Sequence, residues 1–387
     1  MDDTVHPLIE PVTAPPAPSE IVWLDTPEAL ADFLASAPGD TPLALDTEFE
    51  RTSTFYPIPG LVQLGLGTEY RLVEPSVAEA CEAFRQRLAN PAQPKLLYAM
   101  SEDLELFRHW LGLAPQGVVD LQIGTALAGL GFSMGYARLV DTLFGETLDK
   151  SATRSDWLAR PLSEAQQRYA LDDVRFLEPT YRWLRDRLAG RGLLVALVEE
   201  SGRFADELAA QDDPDRHYLK LRGGWALPPV GQAALQALTA WRERECQRRD
   251  MPRNRLLPDA ALIQIAERMP RSVKALSGIE GVSPGIARRY GDALVERIEA
   301  ARAAGHGPEE TIAPPLPREQ QPRFKQLKRV FRNISEDNDI PVELMAPRKR
   351  LEAVMQRGTL AGDDFFSGWR GELLAPAVDR INEVLQP

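Results

Sequence analysis

Alternating hydrophobic and polar residues predict a group of neighbouring strands near the start of the chain. The strand-like segments are residues 43–49, 61–66 and 70–73, each bounded by Gly or Pro. A period of two is typical of a strand with one buried face. Because the three segments follow one another closely, we expect them to pair as an antiparallel meander.

The next segments combine helical and strand-like patterns. We expect an amphipathic helix over 77–88, a strand over 95–99, a helix over 101–111 with Ser101 as its N-cap, and a short strand near Val118. Helices between strands are typical of crossover connections onto a sheet. The first part of the chain is therefore predicted to be a mixed α/β domain.

The pattern becomes entirely helical further along. A long helix is expected from Ser163, which stands in capping-box relation to Gln166, and Pro179 is expected to kink it. Beyond Arg203 the strand patterns end. We divide the chain into five segments: a flexible, acidic, Pro-rich arm (1–20), the α/β domain (21–202), a first helical domain (212–302), a Pro/Gly linker (303–321) and a second helical domain (322–387).

Composition narrows the class of protein. The 387 residues are 44% hydrophobic and 26% charged, as in globular proteins. No run of about 20 apolar residues is present, so no membrane anchor is expected. The first 20 residues contain no Lys or Arg, which is unlike a signal peptide. Two cysteines without a CxxC pair favour neither a disulfide framework nor a zinc finger, and we expect a cytoplasmic protein.

Two acids on the first strand are the first candidates for chemistry. Asp46 and Glu48 are two residues apart, so both side chains point to the same face of an extended strand. Neighbouring carboxylates repel each other unless a cation lies between them, and oxygen ligands suit Mg²⁺ or Mn²⁺. The alternative is a strand end with two solvated acids.

Two further positions complete the candidate cluster. Asp103 lies in the first turn of a predicted helix, where an acid also favours the helix dipole without any catalytic role. Tyr169 and Asp173 are four residues apart on one helical face, where they could equally form a surface hydrogen bond. Four acids and a phenol converging at one sheet edge would suit two-metal hydrolysis of a phosphodiester.

Three motifs then resemble those of the ribonuclease D family, the 3′→5′ exoribonucleases of the DEDDy branch of the DnaQ-like superfamily. They are Leu-Asp-Thr-Glu-Phe at 45–49, Ser-Glu-Asp-Leu-Glu at 101–105, and a segment from Leu-Asp-Lys-Ser at 148–151 to Tyr-Ala-x-x-Asp at 169–173. The resemblance extends over nearly the whole chain, since the family also carries two C-terminal helical HRDC domains. The acidic N-terminal arm is a departure that lies outside the motifs.

The resemblance implies an RNase H-like exonuclease domain of mixed sheet, followed by two all-α HRDC-like domains. It implies four metal ligands, Asp46, Glu48, Asp103 and Asp173, for two Mg²⁺ or Mn²⁺ ions, and it makes Tyr169 the tyrosine that orients the water. It also implies release of 5′-mononucleotides and trimming of the 3′ ends of tRNA precursors and other structured RNAs. We expect a monomer without membrane association.

Substrate contacts are harder to assign. Lys150 and Arg154 lie between motifs, where they would meet a phosphate or remain solvated. Tyr56 would stack on a base or act as a hydrophobic plug. Residues 1–200 contain 16 basic and 30 acidic residues within a net charge of −12. RNA therefore needs basic surface elsewhere, and two runs are candidates: the arginines of 242–255, which are mixed with acids, and the basic residues of 323–332.

Two alternatives stay open from the residues alone. A 3′→5′ DNA exonuclease of the same superfamily would use the same metal chemistry, because the 2′-hydroxyl is recognised by sugar contacts that the letters do not show. A catalytically silent RNA-binding scaffold is the other, although all five catalytic positions are present.

Overall fold

A six-stranded mixed sheet lies at the centre of the N-terminal half of the protein. The computed structural model describes residues 12–386. The strand order across the sheet is β1-β4-β3-β2-β5-β6. The strands are β1 (Trp23–Leu24), β2 (Leu43–Glu50), β3 (Ile58–Leu66), β4 (Glu69–Val73), β5 (Lys95–Leu97) and β6 (Val118–Asp120).

The strand pairing confirms the mixed α/β architecture. β3 and β4 are antiparallel, with Val62 opposite Val73, and β2 is the next strand along the sheet. β5 pairs in parallel with β2 on one side and with β6 on the other, as helical crossover connections require. β1 adds a short parallel edge beside β4.

Nine helices surround or follow this sheet in the described chain up to residue 210. They are α1 (Pro27–Ala35), α2 (Pro75–Ala80), α3 (Glu82–Ala89), α4 (Ser101–Trp110), α5 (Leu121–Leu127), α6 (Tyr136–Phe144), α7 (Glu164–Arg175), α8 (Leu177–Gly190) and α9 (Leu194–Ala210).

The single helix predicted over 77–88 is wrong, because the chain forms α2 and α3 with a break at Cys81. The backbone of Cys81 is extended there, with φ −87° and ψ 103°. Its buried thiol donates to the carbonyl of Pro27 over 3.4 Å. Docking of this side chain against α1 thus replaces one continuous helix by two short ones.

The predicted kink at Pro179 is also wrong, because the chain breaks three residues earlier. Phe176, with φ −95° and ψ −2°, separates α7 from α8, and Pro179 lies in the first turn of α8, where a missing N–H is tolerated. The carbonyl of Arg175 is instead satisfied by the hydroxyl of Tyr70, at 3.3 Å. The helix start at Ser163 and its capping box with Gln166 are confirmed.

The described chain beyond residue 210 is helical, as predicted. Its α-helices are α10 (Pro229–Arg249), α11 (Arg253–Leu256), α12 (Asp259–Arg268), α13 (Val273–Leu276), α14 (Pro284–Ala304), α15 (Gln321–Asp337), α16 (Val342–Met345), α17 (Arg348–Arg357), α18 (Gly368–Leu374) and α19 (Val378–Leu385). Short 3-10 turns precede or join several of them. Across the described residues, no helix is both long enough and apolar enough to span a bilayer.

The described chain forms two compact units. The first contains the residues up to Glu50, residues 59–206 and the residues from Leu316 onward. The second contains residues 51–58 and 207–315. The first unit therefore combines the sheet with the C-terminal helices, although these are far apart in sequence.

Hydrophobic packing and one buried ion pair hold the first unit together. Its core contains Leu171 and Leu184 from the sheet-bearing region and Phe331 from α15. Arg370 of α18 donates to the carboxylate of Glu200 of α9 at 2.6 Å, and both side chains are 2% exposed. These contacts make residues 316–386 part of the same packed body as the sheet.

The second unit is built around α10, which packs against α12 and α14. The short segment 51–58 belongs to this unit through polar and apolar contacts. One carboxylate oxygen of Asp250 accepts hydrogen bonds from the backbone N–H groups of Phe55 and Tyr56, at 2.9 and 3.0 Å. The ring of Phe55 is buried beneath the guanidinium of Arg253, 4.5 Å from the ring centre.

Part of the predicted N-terminal arm contacts the first unit. The N–H of Val12 donates to the carbonyl of Leu143 at 2.8 Å. The buried guanidinium of Arg175 donates twice to the carbonyl of Pro15, at 3.1 and 2.8 Å. Residues 1–11 of the arm lie outside the described residues.

Candidate active site

Strand β2 positions the first two acids. The backbone of β2 is extended, so successive side chains alternate between its two faces. Leu45 and Thr47 are buried on one face, and Asp46 and Glu48 point to the other. One carboxylate oxygen from each of these acids and one from Asp173 all lie within 4.8 Å of one another. The structure thus brings together three acids that are up to 127 positions apart in the sequence.

Asp103 joins this group from the first turn of α4. Its side chain is only 6% exposed, and its Oδ1 accepts a hydrogen bond from the hydroxyl of Thr47, next to Asp46, at 2.5 Å. Ser101 is not the N-cap as predicted. Met100 takes that position without a side-chain cap.

The turn before α4 is held by a buried acid instead. Asp120, at the end of β6, accepts hydrogen bonds from the N–H groups of Ala99 and Met100 at 3.1 and 3.2 Å. Ala99 has φ +57°, a left-handed conformation that is costly for a residue with a Cβ. Two hydrogen bonds to one carboxylate stabilise this turn and thereby set where α4, with Asp103, begins.

Helix α7 supplies the remaining pair. Tyr169 and Asp173 are one turn apart, and the phenol lies close enough to the Asp173 carboxylate to lower the pKa of that acid. The ring of Tyr169 packs against buried Trp157, with centroids 6.0 Å apart. Gly60 allows this close packing, since a Cβ there would lie 2.8 Å from the carbonyl oxygen of Trp157.

The electrostatics are those of crowded acids in a desolvated site. Burial, with repulsion from its three acidic neighbours, raises the pKa of Asp46 well above its ordinary range. The same causes raise the pKa of Glu48 to about 9. Burial raises the pKa of Asp173 to about 8 against the hydrogen bond from Tyr169, and that of Asp103 to about 6.

The site residues fit a divalent cation. Within residues 12–386, none of the four carboxylates forms an ion pair with a basic side chain, so nothing described there neutralises the cluster. Three convergent carboxylates are hard oxygen ligands of the kind that Mg²⁺ and Mn²⁺ prefer. Asp46, Glu48 and Asp173 are therefore the residues best placed to hold one.

Sequence reasoning missed a second tyrosine beside the acids. Tyr136, at the start of α6, is close enough to Asp173 and Asp46 for their charges, after burial, to raise its pKa. Its hydroxyl donates to the backbone carbonyl of Asp172 at 2.9 Å. No spacing in the sequence relates it to the motifs, because α6 reaches the site only through the tertiary fold.

Arg175 was missed as well. It is 5% exposed and donates to the carboxylates of Asp172 and Glu146, in addition to Pro15. It therefore anchors the end of α7, two residues after Asp173. The arginine comes two residues after the motif, but two of its three partners, Pro15 and Glu146, come from other segments of the chain.

The predicted substrate residues occupy different surroundings. Lys150 and Arg154 are exposed in the segment between α6 and α7. Tyr56 is half-buried in the second unit, where it packs against that unit's hydrophobic core and meets Phe55 edge-to-face at 5.0 Å.

Comparison with known proteins agrees with this geometry. A 3′-5′ exonuclease family model matches residues 21–189, and an HRDC domain model matches residues 231–298. Ribonuclease D of Pseudomonas paraeruginosa is 38% identical over 95% of this chain and 98% of its own length. The chain belongs to the ribonuclease D family.

Two further relatives show the extent of the similarity. Ribonuclease D of Escherichia coli K12 is 33% identical over 92% of this chain and 97% of its own length. The crystal structure of Escherichia coli RNase D superposes with a TM-score of 0.80, at 32% identity, over 94% of this chain and 99% of that one. Membership of the family makes the protein a hydrolytic 3′→5′ exoribonuclease that uses divalent metal. The mixed-sheet exonuclease domain followed by helical HRDC structure is confirmed.

Proposed function

We propose that the protein removes nucleotides from RNA 3′ ends as 5′-mononucleotides, with Asp46, Glu48, Asp103 and Asp173 holding two divalent cations. The observation that carries the proposal is the carboxylate cluster, in which oxygens of three half-buried acids lie within 4.8 Å of one another. The cations are Mg²⁺ or Mn²⁺, both of which suit carboxylate ligands.

The metals and the residues of the chain would have different roles in the reaction. Divalent cations held by these carboxylates would supply Lewis-acid chemistry: they would lower the pKa of the attacking water and neutralise charge on the phosphate and the leaving 3′ oxygen. The chain's own contribution is to hold the carboxylates in place. Thr47 fixes Asp103 by a hydrogen bond, and Tyr169 lies beside Asp173 one helical turn earlier.

Tyr169 orients the attacking water through its phenol oxygen. The hydroxyl lies beside the Asp173 carboxylate, and the ring packs against Trp157. Burial raises the pKa of this phenol above its ordinary value, so the group stays protonated at neutral pH. A protonated phenol donates one hydrogen bond and accepts another, which suits positioning of the water and of its departing proton.

The proposed substrates are structured RNAs, including tRNA precursors. The related Escherichia coli enzyme is described as an exoribonuclease involved in structured RNA processing. Lys150, Arg154 and Tyr56 are proposed substrate contacts. We also propose a monomer in the cytoplasm, in keeping with two free cysteines, divided into the segments 1–20, 21–202, 212–302, 303–321 and 322–387.

Matched single strands of RNA and DNA test this function. Purified protein is incubated with each, with Mg²⁺, Mn²⁺ or a chelator. We expect mononucleotides from RNA with metal, no products with chelator, and slower degradation of DNA. Internal fragments would exclude an exonuclease, and faster degradation of DNA would favour a DNA exonuclease. Binding of RNA without any hydrolysis would favour a non-catalytic scaffold.

A further inference from the structure

The two basic runs of the helical half differ in what surrounds them. Of the six arginines at the end of α10 and in α11, four are bonded to neighbouring acids. Arg242 is fully buried between Glu243 and Asp259, and Arg253 also binds Glu243. Two exposed members are paired as well, as Arg244–Asp215 and Arg248–Glu245, and Arg249 donates to the hydroxyl of Tyr290. Most of the positive charge of this run is therefore used in contacts within the second unit.

The run on α15 is arranged differently. Lys325, Lys328, Arg329 and Arg332 follow one another at spacings of three and four residues, so they share one helical face, here called the α15 basic face. Three of the four are exposed, while the opposite face of the helix is buried in the core. Within residues 12–386, none of the four forms an ion pair; Lys328 lies over the ring of Phe324.

Arg323, one turn earlier, is not part of this face. Its guanidinium donates to the carbonyls of Val384 and Leu385, at 3.1 and 2.5 Å. It therefore satisfies carbonyls at the end of α19, a structural task that the other four do not share.

Helix stability does not explain the α15 basic face. Like charges three and four residues apart on a helix repel each other and destabilise it. Cations also favour the C-terminal end of a helix, yet α15 ends with Glu336 and Asp337 and has no basic residue in its last turn. The cost of this arrangement indicates an anionic partner outside the chain.

The shape of the surface fits a polyanion. Side chains of the α15 basic face line an open depression of about 460 Å³. From Lys325 to Arg332 the helix rises about 10 Å, enough to follow a strand over more than one phosphate. α15 belongs to the same compact unit as the acid cluster. We propose that the α15 basic face binds the phosphodiester backbone of RNA outside the active site. This inference rests on the proposed function.

A triple substitution tests the surface against a matched control. Lys325→Gln, Arg329→Gln and Arg332→Gln together remove three charges from exposed positions of α15. The control, Arg216→Gln, Arg244→Gln and Arg248→Gln, removes three charges from exposed arginines that are ion-paired in the second unit. Both full-length proteins are compared with the wild type by binding of a 20-nucleotide RNA from 50 to 300 mM salt, with chelator, and by turnover of a short RNA with metal.

For the α15 variant, we expect the slope of log affinity against log salt to become shallower by about 2, or about 0.7 per lost phosphate contact. The control should keep the wild-type slope. Turnover of saturating short RNA should be unchanged in both variants, because the acids and Tyr169 are intact.

Equal slopes in all three proteins would overturn the proposed surface while leaving the exonuclease intact. An equal loss of RNA affinity in both variants would also overturn it, since net charge alone would then explain binding. If the α15 variant lost affinity for anionic lipid vesicles but not for RNA, the partner would be a different polyanion. Failure of the wild type to hydrolyse RNA would instead refute the proposed function itself.

Discussion

Four carboxylates crowded into one site, with Asp103 buried and the other three half-buried, are costly for the protein without a cation. Their pKa values are raised because burial penalises each charge and the neighbouring acids repel it. Charged groups arranged against folding stability are typical of functional sites. The individual residues therefore make two kinds of contribution that can be measured separately, one to stability and one to turnover.

Stability of the metal-free protein should fall as the pH rises. The folded pKa values of Glu48 and Asp173, about 9 and about 8, exceed those of an unfolded chain, about 4. The folded state therefore binds more protons, so this contribution is fully present below about pH 4 and is lost as the pH passes through 8 to 9.

Thermal unfolding measures this effect. With chelator, we expect the Tm to fall by at least about 5 °C between pH 5 and pH 9, at roughly 2–4 °C per kcal/mol. Mg²⁺ should restore most of the loss at pH 9. The double variant Asp46→Asn, Asp173→Asn should show a smaller fall. A wild-type Tm that is independent of both pH and metal would contradict the electrostatic account.

Tyr169→Phe tests the role of the hydroxyl separately from the role of the ring. The ring keeps its packing on Trp157, and only the hydrogen bond to Asp173 and to the water is lost. We expect turnover to fall by about 10²–10⁴-fold with little change in RNA affinity.

The matched variant is Tyr136→Phe, which removes the hydroxyl that bonds to the backbone of Asp172. It should reduce turnover less than Tyr169→Phe does. Normal turnover in Tyr169→Phe would make Tyr169 a structural residue, and weakened RNA binding with normal turnover would make it a substrate contact.

Among the elements, the turn before α4 depends on a single buried side chain. Asp120→Ala would leave the N–H groups of Ala99 and Met100 without their acceptor. We expect a loss of about 2–4 kcal/mol in the free energy of unfolding, since each buried unsatisfied donor costs about 1–3 kcal/mol. Chemical denaturation provides the measurement.

Asp149→Ala is the control for this loss. Asp149 also accepts a backbone hydrogen bond, from Ser151, but it is exposed. Asp149→Ala should lower the free energy of unfolding clearly less than Asp120→Ala does. Equal losses in the two variants would mean that burial of the Asp120 carboxylate does not determine its role.

The elements were predicted well where a local pattern specifies them. The period-two segments correctly predicted β2, β3 and β4, and the capping box correctly predicted the start of α7. The breaks at Cys81 and Phe176 were missed because long-range contacts, to Pro27 and Tyr70, decide them. Asp46, Glu48 and Asp173 were found through spacing and motif resemblance. Tyr136 has no such local signal.

At the scale of the whole molecule, the C-terminal helices belong to the catalytic unit. Arg370→Met should cost about 1.5–3 kcal/mol, because it removes one of the two arginines bonded to the buried carboxylate of Glu200, and Arg203 remains as the other. The exposed Arg380→Met serves as control and should change stability little. The pair Glu200→Gln, Arg370→Met should be more stable than Arg370→Met alone. A single variant as stable as the wild type would show that the ion pair does not join the two segments.

Composition could not reveal this arrangement. The Pro-rich stretch at 309–322 predicts a linker, but letters do not show which body the following helices join. Arg370 finds its partner, Glu200, 170 positions earlier, and Leu316 and Phe331 share one hydrophobic core with residues of the sheet-bearing region. The difference between the two basic runs is also invisible in the sequence. Only the tertiary structure shows which arginines are already bonded to acids.

The central claim is that the acid cluster removes nucleotides one at a time from the 3′ end. The most direct measurement is a time course with 5′-labelled RNA and Mg²⁺ or Mn²⁺, comparing the wild type with Asp173→Asn and with the exposed control Glu102→Gln. We predict a ladder that shortens from the 3′ end for the wild type and the control, and a loss of at least about 10³-fold in rate for Asp173→Asn. Persistent activity in Asp173→Asn, or products cut internally, would contradict the account.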